Sequence, residues 1–122
     1  MELFAGTSSS QAAKEAYVPI REMIKTERLL LGSNTSAILM SDPKLLLFTL
    51  AKYKFAGKML SGKNVIELGC MDGTGSILLS SFVNKLVSID FYLPHIEDCK
   101  SIQKQGYLKN VEFYHRNILD QN

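Results

Sequence analysis

Residues 64–76, NVIELGCMDGTGS, decide the fold. An apolar run ends on a carboxylate, Glu67, and passes directly into a turn carrying Gly69, Gly73 and Gly75. A strand that stops at such a turn exposes backbone at its carboxyl end, where open α/β sheets receive nucleotide-like ligands. A second apolar run, LVSID, ends in Asp90, 23 residues beyond Glu67. A one-helix crossover of about 20 residues returns an acid to the ribose of a dinucleotide-type ligand.

Working outward, the pattern alternates on the C-terminal side. The first strand is expected over Val65–Leu68 and a helix from Thr74 to Phe82. The strand Leu86–Asp90 follows, then a helix from Pro94 to Gly106 and a strand over Val111–His115. Strand–helix–strand–helix–strand with short links predicts a parallel sheet with right-handed crossovers. On the N-terminal side, Ser41-Asp42-Pro43 signals a helix start, a capping side chain followed by a proline in the first turn. That helix is expected to run from Pro43 to about Leu60, with Gly62 as its stop. Lys44, Lys52, Lys54 and Lys58 fall on one side of it, as on a surface helix packed through its other face. Residues 16–32 are expected to hold a short helix ending at Gly32, and Gly32-Ser-Asn-Thr-Ser reads as a loop. Residues 1–15, rich in Ser, Ala and Gly, read as a mobile N-terminus.

The glycine spacing, Gly69-x-x-x-Gly73-x-Gly75, does not match G-x-G-x-x-G, and no phosphate-loop motif is present. Glu67 at the strand tip would repel a pyrophosphate and favour a ligand bearing cationic groups. S-adenosylmethionine (SAM), with an ammonium, a sulfonium and no phosphate, meets that requirement. VIELGCMDGTGS resembles the glycine-rich first motif of class I SAM-dependent methyltransferases, SIDF their acidic second-strand motif, and RNILD at 116–120 their third-strand motif. The upstream stretch MSDPKLLLFTLAKYKFAGKML is similar to a preamble in one bacterial branch of that family. The resemblance covers roughly residues 38–120.

The resemblance implies a fold and a set of roles. The fold is α/β: a partial Rossmann-like βαβαβ parallel sheet (63–122, the SAM-binding part) behind an N-terminal helical extension (16–62). Glu67 would orient the methionine amino group, and backbone around Gly69, Cys70 and Gly73 would approach the methionine and sugar. Asp90 would accept from both ribose hydroxyls, with Phe91 packing on the adenine. Asn117 would face the adenine amino group and Ile118 would line the ring, while Tyr53 and Lys54 would reach the cofactor's carboxylate. One position departs from the pattern: the family's middle glycine is Met71, whose side chain either intrudes on the cofactor or points away. If it intrudes, Met71→Gly should tighten binding.

The remaining numbers exclude other classes. At 122 residues the chain is one domain with a single modest core, and its 46% hydrophobic and 21% charged content is that of an ordinary globular chain. A net charge of +2 is too small to argue for nucleic acid, and the fourteen Lys and Arg are scattered rather than clustered. The N-terminus lacks a secretory pattern, and the densest apolar segment is broken by Lys52 and Lys54, far short of a membrane span. Two cysteines suggest no disulfide framework, which makes the cytoplasm the expected compartment. Cys70 reads as a packing residue, and His95 and His115 stand at no metal-ligand spacing, so no metal is expected. In a 3-2-1-4-5 sheet the first strand needs a fourth beside it. Its absence implies a partner chain, a second copy, cover by the preamble, or a missing C-terminal half. The expected function is methyl transfer to a small-molecule acceptor. The alternative is a non-catalytic half-domain that binds SAM or self-associates.

Overall fold

The computed structural model describes residues 11–16 and 29–120. Residues 11–16 form a short exposed helix, α1, within the stretch expected to be mobile. The order thereafter is α2 (Ser33–Ser41), α3 (Pro43–Met59), β1 (Asn64–Leu68), α4 (Thr74–Ser80), β2 (Lys85–Asp90), α5 (Leu93–Lys104) and β3 (Val111–His115). The three strands form a parallel sheet in the order β1-β2-β3, as the alternating pattern predicts.

Local chemistry sets most boundaries. Asp42 caps α3 by accepting from the Leu45 N–H at 3.4 Å, with Pro43 in the first turn. At the other end Leu60 closes the helix and Gly62 takes φ 72°, a turn that favours glycine. The helix after β1 stops at Ser80, two residues before the expected Phe82.

The N-terminal extension departs from expectation. The helix expected over 16–32 falls largely outside the described residues, and Leu29–Gly32 are not helical. The expected loop Gly32-Ser-Asn-Thr-Ser instead opens α2, with Gly32 as its N-cap. No side chain of its own caps that helix. Distant carboxylates do so: Asp72 accepts from Thr35 N at 2.6 Å and Thr35 Oγ1 at 2.8 Å, and Asp98 accepts from Ser33 N at 3.1 Å. Ser, Asn and Thr favour turns because their side chains compete for the backbone, and here tertiary caps override that local bias.

Strand parity separates the two faces of the sheet. Leu86, Val111 and Phe113 point toward α4 and α5 and join Leu79, Val83, Ile96, Cys99, Ile102 and Leu108 in the core. On the opposite face Ile66 pairs with Val87, and Leu68 with Ile89, which in turn neighbours Tyr114. Ile66 and Leu68 are 67% and 60% exposed, so this face lacks a covering layer among the described residues. The outer edge of β1 is likewise unpaired among them. The preamble does not pair it: α3 packs on α4 and leaves Leu47, Phe48, Phe55 and Met59 exposed among its lysines. No helix among the described residues is long and apolar enough to cross a membrane.

Candidate functional site

Parallel strands deliver all three carboxyl ends to one rim of the sheet, and the predicted residues of β2 and β3 converge there. Asp90, Phe91, Asn117 and Ile118 line one crevice of about 160 Å³ with Leu68, Gly69, Ile89 and Arg116. A second cavity of about 430 Å³ adjoins it, sharing Phe91, Arg116 and Asn117. Arg116, which opens the RNILD motif but is not among the expected cofactor-binding residues, lines both. Phe91 and Ile118 are 71% and 64% exposed, apolar surface standing free beside a carboxylate.

Asp90 is buried, and its carboxylate shapes the glycine-rich loop. One oxygen accepts from Met71 N at 2.9 Å, and the other from Tyr92 N at 2.9 Å with His95 Nδ1 at 3.4 Å. A carboxylate offers about four lone-pair sites, so capacity remains for a ligand hydroxyl. Asn117 Oδ1 accepts from Leu119 N at 3.0 Å, and no partner is recorded for its NH₂ among the described residues.

Glu67 is placed elsewhere. It is buried in the helix-facing side of β1 and accepts from Tyr53 Oη at 2.5 Å, Ser76 Oγ at 2.6 Å and Ser88 Oγ at 2.7 Å. It borders a cavity between α3 and the open β1 edge, with Lys52, Ala56 and Leu60, and not the crevice that holds Asp90. Tyr53 is thus bound to Glu67. Burial, then the neighbouring carboxylate, push its phenol above the usual tyrosine range. The Tyr53 ring lies so close to α4 that a Cβ on Gly75 would collide with it, which is why that position favours glycine.

The loop itself is rigidly held. Gly73 has φ 90° and leads into α4, and a Cβ there would meet Cys99 Sγ at 2.9 Å. Cys70 and Cys99 are both buried and both donate to Met71 O, at 3.6 and 3.3 Å. The contact with Cys70, then burial, raise the Cys99 thiol well above its usual range. Such thiols pack and do not react. Met71 itself takes φ 52°, a left-handed conformation unusual for a side-chain-bearing residue. Met71 lines a cavity toward α2 and α3 and is not among the residues of the Asp90 crevice. Among the described residues no cluster of metal-ligating side chains is present.

This fold recurs in solved structures. A dimethyladenosine transferase from Plasmodium falciparum matches 60% of this chain at 28% identity, with a TM-score of 0.50. The Trypanosoma brucei PRMT1 enzyme-prozyme complex with AdoHcy matches 71% at 19% identity and a TM-score of 0.54. The N-methyltransferase NodS from Bradyrhizobium japonicum WM9 matches 67% at 18% identity and a TM-score of 0.52. The chain has the class I methyltransferase fold. It spans only 26%, 26% and 45% of those three chains, and so carries part of that fold. No protein-family model matches the sequence, and no curated protein matches it.

The methyltransferase fold implies SAM, and the residues fit its two ends differently. The nucleoside end is met by an acid with spare acceptor capacity, exposed apolar surface and an amide, all in one crevice. At the methionine end the expected carboxylate, Glu67, is committed to three internal donors, and loop backbone alone remains.

Proposed function

We propose that this chain is the nucleoside-binding part of a SAM-dependent methyltransferase. The observation that supports this reading is the convergence of Asp90, Phe91, Asn117 and Ile118 on a single crevice at the strand ends. Asp90 accepts from the ribose hydroxyls through its free lone pairs while it continues to hold the Met71 and Tyr92 amides. Phe91 and Ile118 pack on the adenine, and the Asn117 NH₂ donates to a ring nitrogen. Gly69, without a Cβ, lets the sugar approach the backbone, and Cys70 and Gly73 keep the loop in place from beneath. SAM, when bound, supplies an electrophilic methyl group; the chain's part is to hold the nucleoside and exclude water from one side of it.

Glu67 and Tyr53 act in this reading as a buried brace between β1, α3 and α4, not as cofactor ligands. The bare sheet face and the unpaired β1 edge support a further element of the reading: turnover requires an additional α/β segment against β1, supplied in trans or by a longer polypeptide. A small-molecule acceptor and a cytoplasmic setting remain part of the proposal.

Calorimetry with S-adenosylhomocysteine tests it. Binding is expected with the full chain, weakened about tenfold or more by Phe91→Ala, since base–aromatic stacking contributes about 1–3 kcal/mol. Absence of binding, or binding indifferent to Phe91→Ala and Asn117→Ala together, overturns the reading. Binding without methyl transfer to any acceptor, in the presence of a sheet-completing partner, favours the second reading, a non-catalytic half-domain.

A further inference from the structure

A cavity of about 240 Å³ lies between α2, α3 and the glycine-rich loop, and shares no lining residue with the Asp90 crevice. Its apolar wall is built by Ile38, Leu46, Leu50 and Met71. The polar side chains around it are spent within the protein. Asp72 and Thr74 bond Thr35, the Tyr53 hydroxyl bonds Glu67, and Thr49 Oγ1 donates to the Leu45 carbonyl at 3.0 Å. Asn34 also lines the space, and among the described residues its amide has no side-chain partner. Among the described residues no lysine, arginine or histidine borders the cavity, and its one carboxylate, Asp72, already accepts two hydrogen bonds from Thr35.

An unpaired ion placed there would lose its hydration without a counter-charge, which disfavours a zwitterionic amino-acid tail. Apolar surface with a single free amide suits a neutral molecule. For scale, an apolar cavity of about 150 Å³ is enough to bind benzene.

We infer that this cavity is a binding site for a small, neutral, ring-sized molecule carrying one hydroxyl or amino group, recognised by apolar packing and the Asn34 amide. The site stands on the cavity alone. Its role as the pocket for the methyl acceptor rests on the methyltransferase reading.

The test is a titration of the methyl-labelled full chain with phenol, read at Ile38, Leu46 and Leu50. Saturable shifts are expected at these methyls, with none at Ile118. Asn34→Ala should weaken binding about fivefold, the loss of one hydrogen bond. Leu46→Trp, whose indole occupies the space, should abolish the shifts while its thermal melt stays cooperative. If that variant does not fold, Thr49→Phe serves the same purpose. No shifts at the three methyls, shifts that persist when the cavity is filled, or methionine titrating the same signals as strongly as phenol would each overturn the inference. S-adenosylhomocysteine, added separately, reports at the methyls of Ile89 and Ile118. Failure there removes the methyltransferase reading and leaves the apolar site standing, whereas failure with phenol removes only the site.

Discussion

Three hydroxyls converge on the Glu67 carboxylate, and one of them, from Tyr53, comes from a helix 14 residues upstream. Burial and the adjacent carboxylate make the Tyr53 proton harder to remove in the folded state than in the unfolded chain. The stability this confers is complete below about pH 10, the ordinary tyrosine value, and is lost as pH rises beyond it, by up to about 1.4 kcal/mol per pH unit. Tyr53→Phe should cost about 1 kcal/mol at neutral pH by removing a donor to a buried acid, and should flatten that alkaline slope. Urea midpoints between about pH 7 and pH 11 measure both, and parallel profiles for the two proteins would contradict the account. Met71 yields a different expectation. Because Met71 lines the cavity toward α2 and α3 and not the nucleoside crevice, the steric case for tighter nucleoside binding in Met71→Gly falls away. Relief of the left-handed backbone, set against the added entropy of the unfolded chain, should instead change stability by no more than about 1 kcal/mol in the favourable direction. Nucleoside affinity should change less than twofold by calorimetry.

At the scale of elements, α2 depends on contacts far away in the chain. Asp72 is buried, and its carboxylate holds both the amide and hydroxyl of Thr35, 37 residues upstream. Asp72→Ala should therefore destabilise by about 2 kcal/mol, the loss of a helix cap with a buried amide left unsatisfied. Hydrogen exchange should quicken across Ser33–Ser41 before it does so in β2, and uniform exchange would argue that α2 is not pinned by this contact. The same dependence explains what the sequence showed and what it hid. From Ser41 onward each element announces itself locally: Asp42-Pro43 starts a helix, Gly62 ends a turn, and the apolar runs before Gly69 and Phe91 are strands. The α2 segment lacks a cap of its own, so Gly32-Ser-Asn-Thr-Ser looks like a loop until Asp72 and Asp98 are brought to it by the fold. For the site, Asp90, Phe91, Asn117 and Ile118 were legible because strand ends on one rim share a crevice. Glu67 was not, because its carboxylate shares the helix-facing side with Ser88 and Asp90 but is claimed there by the hydroxyls of Tyr53, Ser76 and Ser88, a convergence that spacing along the chain does not show.

For the whole molecule, the helices α3, α4 and α5 share one side of a three-stranded sheet, and the other side shows Ile66, Leu68 and Tyr114 to solvent. Apolar sheet faces are normally covered in parallel α/β folds, so the exposed side and the open β1 edge are where a further element would pack on the proposed function. The crevice that holds Asp90 lies at the rim and is formed without that addition. On the proposed function, nucleoside binding by the chain alone should be separable from turnover. The most direct measurement is a crystal structure of the chain with S-adenosylhomocysteine. The account predicts ribose hydroxyls within hydrogen-bond distance of Asp90 and adenine packed between Phe91 and Ile118. A nucleoside bound against Glu67 and the α3 groove, with the Asp90 crevice empty, would contradict it.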